Sequence, residues 1–132
     1  MALVVPDVGE VLVLSKALNK TASDDVKLRL YTNDVTPDDD TVVGDLTEAT
    51  ATGYAAKTLT GASWTVATAT GTTTGSYAQQ SFTMTTQETY YGYYVTDNAG
   101  TGLLWVERFS DGPYTTGSAG GTVKVTPTIT LA

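Results

Sequence analysis

The stretch TYYGYYVTDNAGTGLLWVERF, at residues 89–109, decides the fold, because it holds six of the twelve aromatic residues in the 132-residue chain. Its alternating pattern predicts two strands, one on each side of Asp97-Asn98-Ala99-Gly100. These four residues tolerate positive φ or bond to their own backbone, as the loop of a hairpin requires. We therefore predict a β-hairpin at the centre of the core.

The two faces of the first hairpin strand are expected to have different surroundings. Tyr91, Tyr93 and Val95 share one face, which we assign to the core. Tyr90 and Tyr94 lie on the opposite face, which we predict to be exposed. Exposed tyrosines can form cross-strand pairs, contact another subunit or stack on sugar rings, and we favour the first two roles.

The composition excludes several classes of protein. The chain has no Cys and no His, so it lacks disulfides, thiolate metal sites, the commonest general base and the commonest transition-metal ligand. Its net charge of -7 with seven basic residues argues against nucleic-acid binding, which requires a basic patch. No apolar run approaches the roughly 20 residues that span a membrane. We predict neither nucleic acid nor membrane as a partner.

The chain divides into an N-terminal arm or short helix at residues 1–22 and a β-sandwich domain at residues 23–132. Asp7 and Glu10 have the spacing of a helix-capping arrangement, and apolar residues follow at helical spacing. We predict a helix over about residues 8–19, with a short strand at 10–15 as the alternative.

The β-sandwich domain contains further short strands besides the hairpin. The alternation of apolar and polar residues predicts them at 26–32, 57–59, 64–70, 77–85 and 122–131, with a flexible tip at 71–75. Pro127 lacks a ladder donor, so the last strand lies at a sheet edge or breaks near its middle. This predicts an all-β fold, an antiparallel β-sandwich or jelly-roll-like structure of seven to eight short strands.

A long connection at residues 33–45 contains Asp38-Asp39-Asp40 and is predicted to be an exposed loop. Three carboxylates could bind Ca²⁺, but their spacing is not that of an EF-hand. We favour a solvated loop or a contact for a basic neighbour, and leave the ion open.

Catalysis would have to use carboxylates, and Glu107 with Asp111 is the best candidate pair. Glu107 stands beside Arg108, however, and a paired or solvated charge is the simpler interpretation. The Gly-rich loop at 116–121 lacks the lysine pattern of a phosphate-binding loop. We therefore predict that the protein is not an enzyme and has no catalytic residue, cofactor or metal.

The order of these elements resembles small structural proteins of tailed bacteriophages, of the head-decoration, minor capsid and fibre-like kinds. The resemblance covers most of the chain and is carried by several short motifs. They are the Met1-Ala2-Leu3 start, Gly53-Tyr54-Ala55, the Tyr90-Tyr91-Gly92-Tyr93-Tyr94 strand with Leu103-Leu104-Trp105, and the closing Val123-Lys124-Val125-Thr126-Pro127.

The resemblance implies a virion structural protein, most simply a decoration (cement) protein on the capsid surface, assembled in the cytoplasm of the host bacterium. Its partner would be the major capsid protein, and it would form a homo-oligomer, with a trimer favoured. A tail, collar or fibre component that contacts host glycan and a free carbohydrate-binding domain are the alternatives. The residues predicted at interfaces are Leu3, Val4, Val5, Tyr54, Tyr90, Tyr94, Val123, Val125, Ile129 and Leu131.

Overall fold

The computed structural model describes residues 13–18 and 25–131. Over these residues the protein is an antiparallel, β-sandwich-like all-β structure with one short helix near its N-terminus, so the predicted all-β class is confirmed. The described residues form eleven strands, whereas we predicted seven to eight, because several strands contain only two or three residues. Residues 13–17 are helical. The strands are β1 Val26–Tyr31, β2 Lys57–Leu59, β3 Thr65–Ala69, β4 Thr72–Ser76, β5 Gln80–Met84, β6 Thr89–Tyr90, β7 Gly92–Thr96, β8 Leu103–Arg108, β9 Tyr114–Thr115, β10 Gly121–Val125 and β11 Thr128–Leu131.

Four sheets make up the described structure. The main sheet has the strand order β2-β1-β7-β8, and the back sheet has the order β11-β4-β3. Two further pairs, β10-β5 and β6-β9, complete the layers. Because β1 pairs with β7, β4 with β11 and β5 with β10, strands far apart in sequence lie side by side. The topology is therefore not a meander.

The main core lies between the main sheet and the other strands. Alternate residues of β1 point into it, and Phe82 and Met84 of β5 meet them from the other layer, as their alternation predicts. Trp64 is 1% exposed and packs edge-on against Trp105, with ring centroids 6.0 Å apart. The predicted hairpin is present as β7 and β8, and it contributes to this core as expected.

The outer face of the main sheet carries a second apolar cluster, which corrects two predictions. Tyr94 is 2% exposed and packs with Tyr31 and Leu46, so the predicted exposed tyrosine face is wrong. The cover comes from residues 32–48, which include the stretch at 33–45 that we expected to be an exposed loop. Arg108 holds this segment by an ion pair to Asp34 at 2.7 Å and a hydrogen bond to a backbone carbonyl in the segment. Asp38-Asp39-Asp40 remains exposed, as predicted.

The face assignment of Tyr90 and Tyr91 is also wrong, because the strand changes phase at Gly92. Tyr90 is fully buried in the main core, whereas Tyr91 packs against the second cluster. The chain leaves one strand at Tyr90 and starts β7 at Gly92, where a Cβ would come within 2.6 Å of the Tyr31 ring. Glycine therefore permits the close approach that resets the alternation.

The predicted flexible tip at 71–75 is instead strand β4. Thr70 and Gly71 have φ values of 51° and 75°, and Ala69 pairs directly with Thr72. Two consecutive residues at positive φ form the tight turn whose twist suits a hairpin. Residues 72–76 contain no large apolar side chain, so their sequence shows no alternation of apolar and polar residues from which a strand could be predicted.

The last predicted strand breaks at Pro127, which is one of the two outcomes that the sequence analysis allowed. β10 joins β5, whereas β11 joins β4 in the back sheet, so the chain changes partner at the proline. The Pro127 carbonyl accepts a hydrogen bond from the Tyr77 amide at 3.0 Å. Because Pro127 has no backbone N–H, the chain can leave one sheet and enter the other at this residue without losing a ladder hydrogen bond there.

The N-terminal helix docks on the inner side of the back sheet through Leu14 and Leu18, which are 1% and 0% exposed. A Cβ on Gly75 of β4 would lie 2.7 Å from the Cδ1 of Leu18, so helix and sheet are in close contact. The helical prediction agrees with the structure over 13–17, and its remaining parts at 8–12 and 19 lie outside the described residues. Within the described part of the chain, no helix is long and apolar enough to cross a membrane.

We predict that Leu18→Ala lowers the free energy of unfolding by about 2–4 kcal/mol, because it opens a cavity at a fully buried site. Val13→Ala, at a residue 57% exposed on the same helix, is the control and should change it by less than about 0.5 kcal/mol. Gly75→Ala should be destabilising in the natural background and better tolerated together with Leu18→Ala. Alanine at position 18 would leave free the space that the new Cβ at position 75 needs. Urea unfolding of the four variants measures this, and strictly additive effects would contradict the contact.

We also predict a loss of stability in alkali. Burial, with a smaller contribution from the nearby Glu48 carboxylate, raises the pKa of Tyr94 to about 12 against the opposing effect of Arg29. The unfolded value is about 10, so this tyrosine stabilises the fold fully below pH 10 and loses that contribution as the pH rises from 10 towards 12. Tyr94→Phe should make the decline shallower, by at most about 1.4 kcal/mol per pH unit. Urea unfolding at pH 8, 10 and 11 tests this, and superimposable pH profiles for both proteins would refute it.

Candidate interaction surface

The outward side of the back sheet is a surface without charge. Its side chains are small and most are exposed. We call this surface the neutral face and define it by Thr65, Ala67 and Ala69 of β3, Thr72, Thr74 and Ser76 of β4, and Thr128 and Thr130 of β11.

The register of the three strands arranges the neutral face in rows. Thr128, Ser76 and Thr65 lie side by side, and Thr130, Thr74 and Ala67 form the next row. The Thr74 and Thr130 hydroxyls are 3.4 Å apart. Opposed threonines are typical cross-strand partners, so the rows form a regular surface of methyl and hydroxyl groups.

Both margins of the back sheet are strand edges. Over the described ranges 13–18 and 25–131, β3 pairs only with β4 and β11 pairs only with β4. An edge strand presents backbone donors and acceptors that can pair with another chain. Charged side chains commonly block such edges, and β3 and β11 contain none. The neutral face is therefore bordered on both sides by edges that can accept a neighbouring strand.

Charge is concentrated on the rest of the molecule. Residues 58–87 contain no Asp, Glu, Lys or Arg, and residues 112–132 contain only Lys124. The main sheet and its loops carry the charges, including the Arg29–Glu48 pair at 2.9 Å. Asp97 organises the β7–β8 loop, where hydrogen bonds from the Gly102, Thr101 and Gly100 amides lower its pKa. Among the described residues, most charged side chains thus lie on the main sheet and its loops, which we call the acidic side, and the neutral face carries none.

Glu48 connects Arg29 on the acidic side with Tyr54, which packs against the main core. Its carboxylate accepts both a bond from Arg29 at 2.9 Å and one from the Tyr54 hydroxyl at 2.8 Å. Burial raises the pKa of Tyr54, and the bond to Glu48 raises it further. The protonated Tyr54 hydroxyl donates to the Glu48 carboxylate and accepts from the Leu30 amide. Because each group has a hydrogen-bond partner, we interpret this polar cluster as structural.

The predicted interface residues are spread over several environments. Leu3, Val4 and Val5 lie outside the described residues. Tyr54 is half-buried in the Glu48 cluster, whereas Ile129 and Leu131 are half-buried on the inner side of β11. The other four have side chains 7% exposed or less, and the chain's own core covers them: Tyr90, Tyr94, Val123 and Val125. In this fold those four side chains are not available to a partner.

The carboxylates considered for catalysis each have a local partner. Glu107 accepts a hydrogen bond from the Tyr93 hydroxyl at 2.8 Å, and Asp111 accepts one from the Tyr114 hydroxyl. In the acidic loop, Asp38 accepts bonds from the Asp40 amide and the Thr41 hydroxyl. Within the residues described by the structure, no group of three or more acidic side chains is placed to hold a metal ion.

Sequence analysis missed the neutral face, although a signal for it was present. The uncharged run at 58–87 spans β3, β4 and β5, and the C-terminal strand adds another uncharged segment. Periodicity assigned the side chains of each strand but did not reveal that β11 lies beside β4. The single surface exists only because that long-range pairing brings the two uncharged segments together.

We predict that two added charges on the neutral face leave the fold intact. Ala67→Glu with Thr128→Glu changes exposed residues in different rows, so the free energy of unfolding should fall by less than about 1 kcal/mol. Urea unfolding measures it. A larger loss would mean that the face is packed against something within the chain.

Comparison with protein-family models, with curated proteins and with solved structures found no match.

Proposed function

We propose that this protein is a non-enzymatic structural protein of a bacteriophage virion, most simply a decoration protein that stabilises the head lattice. The observation that carries the proposal is the separation of charge. An acidic chain that stays soluble in isolation and binds a large assembly needs one surface on which carboxylates do not have to be desolvated. The neutral face meets that requirement.

The first and last described elements also support the proposal. The N-terminal helix packs through Leu14 and Leu18 against the inner side of the sheet that contains β11, so both elements belong to the layer whose outward side is the neutral face. The apolar residues Leu3, Val4 and Val5 precede this docked helix in sequence. An arm that starts there could contact a coat subunit or a neighbouring copy while the sheet edges contact another.

The stabilising mechanism is mass action. A protein that binds only the assembled lattice lowers the free energy of that state relative to free coat subunits. The partner is then the major capsid protein, and a homo-oligomer, with a trimer favoured, would place several neutral faces on adjoining coat subunits. No chemistry is required of the decoration protein in this role.

The test is electron microscopy of complete virions and of shells assembled by co-expression with a major capsid protein encoded in the same genome. We expect density over the whole shell in high copy, with the neutral face towards the coat. Density confined to one vertex or to a tail would instead support the tail, collar or fibre alternative. Shells without bound protein would overturn the virion proposal.

Variants then test which surface binds. Ala67→Glu with Thr128→Glu should reduce shell occupancy at least tenfold, because two carboxylates would lose water in the contact. Ala99→Glu with Thr47→Glu makes the same two changes at exposed positions on the acidic side and is the matched control. Deletion of residues 1–6 tests the arm separately. Equal occupancy for all four proteins would exclude both the face and the arm.

A further inference from the structure

An open groove of about 480 Å³ lies beside β10, and none of its lining residues belongs to the neutral face. We call it the β10 groove. It is lined by Phe109, by residues 114–116 and by residues 121–124. Its volume is in the range of small-molecule sites, which combine apolar surface with a few placed polar groups. Nothing in the proposed lattice contact uses this groove.

One wall of the β10 groove is an aromatic ring held in a fixed orientation. Tyr114 is 38% exposed, and its ring centroid lies 5.1 Å from that of Phe109. Phe109 in turn packs against Tyr93 in the core. The Tyr114 hydroxyl donates a hydrogen bond to Asp111, which fixes the other end of the side chain. An exposed ring that is held in this way loses little side-chain entropy when a ligand covers it.

The groove is also lined by Lys124, the only charged residue at positions 112–132. Lys124 is exposed, and among the described residues no carboxylate lies within 4.0 Å of its ammonium group. Arg29 and Arg108, by contrast, each have an acidic partner. An unpaired cation in a chain of net charge -7 is a site for a single negative charge, because polyanions are repelled by the rest of the molecule.

Hydroxyl groups complete the lining. Thr115 shares a hydrogen bond of 2.8 Å with Thr89, and Thr122 shares one of 3.2 Å with Thr83. A hydroxyl has one donor and two acceptor positions, so each of these threonines can accept another hydrogen bond. The groove therefore offers a flat apolar ring, a cation and hydroxyl acceptors within one concave site.

We propose that the β10 groove binds a saccharide that carries a carboxylate. The apolar face of a sugar ring would stack on Tyr114, its hydroxyls would donate to the threonines, and its carboxylate would pair with Lys124. A neutral sugar would leave the lysine unused, and a purely aliphatic acid would leave the hydroxyl acceptors unused. This combination favours an acidic saccharide over both.

Ligand-observed NMR with the full-length protein tests the proposal. The probes are galacturonate, its methyl ester and sialyllactose, so that each acidic probe carries one carboxylate. We expect saturation transfer to both acidic saccharides and an affinity for galacturonate at least fivefold higher than for the ester. This preference should shrink as salt is raised from 50 to 500 mM, because the ion pair is exposed and screened. No transfer to either acidic saccharide at millimolar concentration would overturn the proposal.

Three variants separate the contributions. Lys124→Gln should remove the preference for the acid over the ester, whereas Lys16→Gln, an exposed lysine on the N-terminal helix, should preserve it. Tyr114→Ala should reduce the affinity for both probes at least tenfold, and Tyr114→Phe should retain most of it because the ring remains. Circular dichroism checks that each variant is folded. An unchanged preference in Lys124→Gln would refute the role of the lysine, and unchanged binding in Tyr114→Ala would refute the groove as the site.

Discussion

The structure depends on the burial of β7 from both sides. Tyr93 and Val95 pack into the main core, while Tyr94 packs into the cluster on the opposite face. A sandwich sheet normally leaves one face to solvent, so burying this one requires an additional cover. Residues 32–48 provide it, and Arg108 fastens them through Asp34. The tyrosine-rich hairpin is thus the middle layer of three.

This arrangement explains how charge is distributed over the described residues. The cover segment and the loops of the main sheet need polar and charged groups, because they hold loops in place by ion pairs and amide-to-carboxylate bonds. Asp97 at the β7–β8 turn and Glu88, which accepts bonds from the Thr50 and Ala51 amides, serve this purpose. The back sheet is held by backbone pairing and small side chains, so it needs no charge. A surface without charged side chains follows from that division.

Much of the fold was predictable because local alternation is a strong signal where one face is buried. β1, β2, β5 and the β7–β8 hairpin lie where the pattern placed them. The misassigned faces of Tyr90 and Tyr91 occur where the alternation changes phase. Gly92 resets it between Tyr90 and Tyr93. A shift of one residue exchanges the faces of a strand, so this local irregularity accounts for both misassigned side chains.

The sequence by itself determined the all-β class, the short N-terminal helix where it is described and the uncharged segments, because each depends on the intrinsic properties of neighbouring residues. For Pro127 it limited the last strand to an edge position or a break. Only the tertiary structure decided that β11 lies beside β4, that residues 32–48 cover Tyr94, and that Tyr114 and Lys124 share a groove. Those features depend on pairing between residues far apart in the chain. Alternation within a strand specifies which side chains share a face, but not which strand or loop will lie against it.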